Sequence, residues 1–339
     1  MGIIRISSSP EVHTMYLKRK VDAFLCAWKA DPERKPLIIK GCRQVGKTES
    51  VKQFAEKNYE SVIEINFIRD EKYKGILADG YEASAIIKNI SLIDPSKKFI
   101  PNKTLLFFDE ITEFPEIATA LKFFFLDGRF DVICSGSMLG VNYRKIESNS
   151  VGYKKDFEMF SMDFEEFLIA NGIGEFVMQT MRMHFEKRQS LPDALHAKIL
   201  DLFKKYLIVG GLPDAVNTFV EQHNVVAIRK IQEDIHALYG LDASKYEKEH
   251  ARLKIQRIYN LIPSNLENRK KRIIAKSIED KKGKRMTDYE DEFDYLISAG
   301  VALEVRAISV PSYPLMENCG KNLLKLYLND VGLLTGLFF

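Results

Sequence analysis

Eight consecutive residues, Gly41-Cys42-Arg43-Gln44-Val45-Gly46-Lys47-Thr48, offer the most specific chemistry in the chain. They fit the pattern G-x-x-x-x-G-K-[ST], whose glycines let the backbone wrap until its N–H groups face a common centre. Such a centre takes phosphate oxygens, and a helix starting just after the loop adds its positive end. Lys47 then supplies a point charge to the β and γ phosphates, and the Thr48 hydroxyl suits Mg²⁺. A nucleoside triphosphate with Mg²⁺ is the expected ligand of Gly41 to Thr48.

Phe107-Phe108-Asp109-Glu110 places two carboxylates at the end of an apolar run. Asp109 is expected in the Mg²⁺ shell, and Glu110 is expected to polarise the attacking water as general base. A strand-ending acidic pair can also simply begin a loop; its place after the phosphate loop favours the chemical reading. Ser135-Gly136-Ser137 follows the next strand candidate, and Ser137 is the hydroxyl favoured to sense the γ-phosphate or orient water. The bland alternative is a small-residue turn. Arg129 and Arg144 lie nearest in sequence, and Arg144 is the candidate for stabilising transition-state charge, although most surface arginines are merely solvated.

These groups need elements to hold them. Leu37-Ile38-Ile39, Val62 to Phe67, Thr104 to Phe108 and Asp131 to Cys134 read as strands. Helical spacing over 15–30, 50–57, 81–93 and 121–126 alternates with them. Strand–helix alternation, with one strand apolar throughout, predicts a doubly wound α/β domain over residues 33–160 behind an N-terminal helix within 1–32. From Asp163 the spacing becomes helical, which predicts a helical lid over 161–245. Residues 246–339 predict a small helical module closed by a β-wing at Val301 to Arg306.

Bulk composition constrains the rest. With 29% charged and 46% hydrophobic residues, the chain has the balance of a folded protein rather than a disordered one, and 339 residues predict two or three domains. No apolar run approaches a membrane span, and the first ten residues lack the pattern of a secretion signal, so a cytoplasmic protein is expected. Cys26, Cys42, Cys134 and Cys319 are scattered without metal-ligand spacing and read as reduced thiols. A net charge of +3 is too small to announce nucleic acid. Locally, Arg269-Lys270-Lys271-Arg272 with Lys276, Lys281, Lys282, Lys284 and Arg285 is a candidate for DNA phosphate contact. Glu267, Glu279 and Asp280 dilute it, so a solvated helix face is the competing explanation.

The chain resembles the bacterial and archaeal AAA-family ATPases that join an ATPase core to a domain of unknown function, DUF4143. Lys35 to Thr48, with Arg43 and Gln44 in the loop, looks like that family's phosphate loop. Phe107 to Ile111 is similar to its acidic motif, Ser135 to Val141 to its sensor segment, and Met162 to Leu168 and Val209 to Val216 to its lid. The resemblance implies an AAA-like P-loop NTPase fold followed by a helical lid and a winged-helix-like module. It also implies ATP as the nucleotide, in keeping with the lack of an Asn-Lys-x-Asp guanine signature, and a protein partner or a homo-oligomer. Gly210-Gly211-Leu212-Pro213 is similar to the Gly-Leu-Pro motif of signalling NTPases, which implies that Pro213 helps hold the base; a turn between two lid helices is the alternative. Thr112 stands where relatives carry Gln. Many relatives continue past Leu328 to Leu334 into a nuclease-like module, so no nuclease activity is expected of residues ending at Phe339.

Overall fold

Strict alternation along fully buried strands sorts the apolar side chains into two layers. In strand β1 (Leu37–Lys40), Leu37 and Ile39 face one side and Ile38 the other. In β3 (Thr104–Asp109), Leu105 and Phe107 oppose Leu106 and Phe108, as the two-residue period of a strand requires. The structure, a computed structural model, describes residues 15–137, 152–245, 249–267, 273, 275–279, 283, 285–308, 310–313 and 319–338.

With β2 (Ser61–Asn66), β4 (Asp131–Gly136) and β5 (Lys155–Glu158), these strands form a parallel five-stranded sheet in the order β2-β3-β4-β1-β5. Helices α1 (Lys20–Ala30) and α2 (Lys47–Asn58) cover the face bearing Leu37, Ile39 and Phe107. Helices α3 (Ala83–Ile93) and α4 (Ile117–Asp127) cover the face bearing Ile38, Ile65 and Phe108. This is the doubly wound α/β sandwich expected from the strand–helix alternation.

Two local readings change. Residues 15–19 enter α1 as extended chain, because the Asp22 carboxylate accepts the Arg19 N–H at 2.8 Å and so fixes the helix start at Lys20. Strand β5 was not expected, since Lys155-Asp156-Phe157-Glu158 has one apolar side chain and lies at the sheet edge, where charge is tolerated. Its Phe157 ring packs 4.3 Å from Phe24 of α1.

Beyond the sheet come α5 (Phe164–Ala170), α6 (Glu175–Glu186), α7 (Asp193–Val209), α8 (Pro213–Gln222), α9 (Val225–Lys245) and α10 (Glu249–Glu267). The alternating segment near residue 301 is strand β6 (Ala302–Ile308), paired antiparallel with β7 (Cys319–Leu328); helix α12 (Glu290–Ser298) precedes it, with the short α11 (Ala275–Ile278) earlier and α13 (Val331–Gly336) after. The apolar core on the α1/α2 face does not stop at the sheet: it runs through Val209, Val216, Tyr239 and Ile262 to Leu333. Among the described residues, no helix is long and apolar enough to cross a membrane.

Candidate nucleotide site

The phosphate loop is built by close backbone approach. A Cβ on Gly41 would lie 2.2 Å from the Met159 carbonyl oxygen, because β5 runs alongside the exit of β1 and Met159 N donates to Lys40 O at 2.7 Å. Gly46 takes φ 90°, a left-handed conformation that glycine adopts without strain, and α2 starts directly after it. The loop therefore opens onto the N-terminus of a twelve-residue helix, where free N–H groups and the helix dipole favour anions.

Lys47 is buried over this loop and donates to the carbonyls of Gly41 at 3.0 Å and Cys42 at 2.8 Å. An ammonium has three N–H donors, so one remains for a phosphate oxygen. Burial pushes the Lys47 amine below its ordinary value, while the carboxylates of Glu110 and Asp109 pull the other way.

Sheet register assembles the acidic end. Asn66 on β2 lies opposite Asp109, and Phe108 lies opposite Cys134, which puts Ser135 beside Asp109 from the other side. Asp109 accepts from Asn66 Nδ2 at 2.8 Å, from Thr48 Oγ1 at 3.2 Å and from the Ser135 hydroxyl. Thr48 and Asp109 thus present adjacent oxygens, the donor chemistry of a hard cation such as Mg²⁺, and the residues present fit that ion. Among the described residues no cluster of three or more His, Cys, Asp or Glu side chains could hold a metal unaided.

Glu110 leaves β3 with φ 55° and ψ 48°, a left-handed backbone rare for a non-glycine residue and typical of functional sites. Its Oε2 is buried with no hydrogen-bond partner among the described residues. Burial pushes its carboxyl above the usual range, opposed by the charge of Lys47. A carboxylate that faces the phosphate loop with an unsatisfied oxygen can accept a proton.

A cleft of about 470 Å³ joins these groups, lined by Gly46, Lys47, Thr48 and Glu110 on the phosphate side and by Tyr16, Pro213 and Asn217 elsewhere. Pro213 reaches the loop itself: its Cγ lies 3.4 Å from where a Cβ on Gly46 would be. Arg43 and Gln44 line the cleft, whereas Cys42 and Val45 are buried in the core behind it. Ser137 is buried just past β4, but the hydroxyl that reaches the acidic pair belongs to Ser135. Arg129 is held by Asp127 at 2.7 Å on the exposed turn before β4, at the opposite end of the strand from Ser135. Arg144 lies outside the described residues, as do Arg269, Lys270, Lys271, Arg272, Lys281, Lys282 and Lys284; Lys276 and Arg285 are exposed.

Arg19, which the sequence gave no reason to single out, lies under the cleft. It donates to Val45 O at 2.7 Å, Phe160 O at 2.8 Å and Glu166 at 3.1 Å, with both side chains of the ion pair almost fully buried. Glu166 also accepts from the backbone N–H groups of Lys20 and Asp163. Removing one partner strands a buried charge, so Glu166→Ala is expected to cost about 3–5 kcal/mol. Urea denaturation reads this as a lower midpoint; an unchanged midpoint refutes the assignment.

Comparison with known families agrees with this geometry. A family model described as an AAA domain matches residues 33–168, the segment that carries the sheet, the loop and the acidic pair. This segment has the P-loop NTPase fold. Residues 200–338 match a domain of unknown function, DUF8612, which replaces the DUF4143 expected from the resemblance. The Walker-type ATPase PABY2304 of Pyrococcus abyssi is similar in fold across 96% of both chains, with a TM-score of 0.54 at 14% identity. The Aeropyrum pernix ORC1 protein, solved in complex with DNA, aligns over 97% of this chain and 94% of its own with a TM-score of 0.37 at 12% identity. No curated protein matches the chain.

Proposed function

We propose that this chain binds ATP with Mg²⁺ in the cleft beside Gly41 to Thr48 and hydrolyses it to ADP and phosphate. The observation that carries the reading is the convergence of Lys47, Thr48, Asp109 and the unsatisfied Glu110 oxygen at the end of the parallel sheet. The loop N–H groups and Lys47 hold the β and γ phosphates in place. Thr48 and Asp109 would hold Mg²⁺, which offsets phosphate charge when bound with the nucleotide. Glu110 orients a water and takes its proton as the water oxygen bonds to the γ phosphorus and the bond to the β-phosphate oxygen breaks. Positioning and electrostatics supply most of the acceleration.

The nucleotide state would be felt beyond the AAA domain through two contacts on the loop. Asn329, just past β7, donates to the Cys42 thiol at 2.9 Å, and Tyr239 of α9 donates to Arg43 O at 3.3 Å. Any shift of Cys42 and Arg43 on phosphate binding displaces partners on the lid and the C-terminal module, which couples hydrolysis to domain rearrangement. The experiment is steady-state phosphate release from Mg-ATP by the full chain and by Lys47→Ala. Release by the wild type that falls at least about 100-fold in the variant is expected, given that one preorganised charge contributes that order. Wild-type release no faster than the variant's overturns the hydrolase reading.

A further inference from the structure

Besides the Glu110 oxygen, the cleft has a second buried acceptor without a partner among the described residues, on Asn217. Asn217 sits on α8 one turn after Pro213, so both side chains lie on the same stripe of the helix. The residue is 7% exposed, and its Oδ1 is buried without a hydrogen-bond partner. A buried amide oxygen left unpaired forfeits its hydration without compensation, and folded proteins hold few of them. Its neighbours Ala215, Val216 and Phe219 go into the apolar core, whereas Asn217 lines the cleft.

The cleft has two chemically different ends. Gly46, Lys47 and Thr48 supply the anion-binding end, and Pro213 lies against Gly46. One helical turn separates Asn217 from Pro213 by about 5.4 Å along α8, and Asn217 lines the same cleft as Met15, Tyr16 and Leu17 of the extended segment before α1. A nucleotide with its phosphates on the loop reaches this part of the cleft with its base. The apolar lining offers the ring faces burial, and the unpaired Asn217 Oδ1 asks for a donor in the ring plane.

We propose that Asn217 determines base specificity: its Oδ1 accepts a hydrogen bond from the exocyclic amine of a 6-aminopurine, so the site selects adenine nucleotides. This rests on the nucleotide reading of the same cleft and names the part of the ligand that the loop cannot distinguish. An amide pairs with an adenine edge as acceptor to the amine and donor to a ring nitrogen. Guanine carries a carbonyl at that position and would set acceptor against acceptor.

The test compares equilibrium binding of Mg-ATP, Mg-GTP and the Mg complex of purine riboside triphosphate, which lacks only the amine, to the full wild-type chain and to Asn217→Leu. About a tenfold preference for ATP over the amine-free analogue is expected in the wild type, the size of one satisfied buried hydrogen bond. In Asn217→Leu that ratio falls to about one, because the variant has no amide oxygen to tell the amine from its absence. ATP and the analogue binding equally to the wild type overturns the proposal and leaves the ATPase reading standing, as does GTP binding as tightly as ATP. Binding of none of the three overturns both. Should Asn217→Leu fail to fold, the wild-type ratios decide alone.

Discussion

Glu110→Gln is expected to bind ATP within about twofold of the wild type and to turn it over about 100- to 10,000-fold more slowly, the usual contribution of a positioned general base. Gln keeps the shape of the side chain and the backbone turn at φ 55°, and it removes the negative charge together with the capacity to accept a proton. The pH profile gives a second reading of the same group. Burial raises the Glu110 carboxyl above the 4.5 of an ordinary glutamate, so its basic form is lost as pH falls through that raised value. Wild-type turnover should therefore decline on an acid limb that begins above pH 4.5, and the limb should vanish in Glu110→Gln. Turnover by Glu110→Gln equal to the wild type's removes Glu110 from the base role. Phosphate release and fluorescent-nucleotide binding, measured side by side, separate a lost base from a lost site.

Why the sequence showed some of this and not the rest follows from which interactions are local. Strands β1 to β4 are legible because their apolar runs are buried on both faces, and the phosphate loop because its backbone conformation demands Gly41, Gly46 and the following lysine. Strand β5 hid behind its charges. Asn66 and Ser135 reach Asp109 only through sheet register, which two separate strands do not encode in their own residues. Asn66 at the end of the Val62 to Phe67 strand candidate was a weak signal: a polar side chain interrupting an apolar run beside the acidic strand. Arg19 and Glu166 are separated by 147 residues, and burial alone makes them a pair. Asn217 lies four residues beyond Pro213, and a lone Asn inside a helix carries no signal of its own.

The Gly-Gly-x-Pro turn presents the opposite case, because a motif visible in the sequence acquires its reason only in three dimensions. Gly210 and Gly211 join α7 to α8 where three backbone segments meet. A Cβ on Gly211 would fall 1.9 Å from Met162 O and 2.8 Å from Met162 N, both backbone atoms that cannot swing aside. On the far side, Gly211 N donates to the buried Asp330 carboxylate at 2.7 Å, which also accepts from Gly332 N at 2.8 Å. Gly332 is packed as closely, with its Cβ position 2.4 Å from Val209 O. Gly211→Ala must separate the segment at Met162 from the start of α8, and so move Pro213 and Asn217 relative to the loop. We expect a loss of at least about 3 kcal/mol, the upper range for overpacking, because backbone rather than a side chain has to yield. Gly75→Ala, where an added methyl meets nothing within 4 Å, should stay within about 0.5 kcal/mol. Thermal melts of the two variants test this: equal midpoints would show that the close approach at Gly211 relaxes without cost. A midpoint lowered only in Gly211→Ala, together with weakened ATP binding, would tie the turn to the nucleotide cleft through the position of α8.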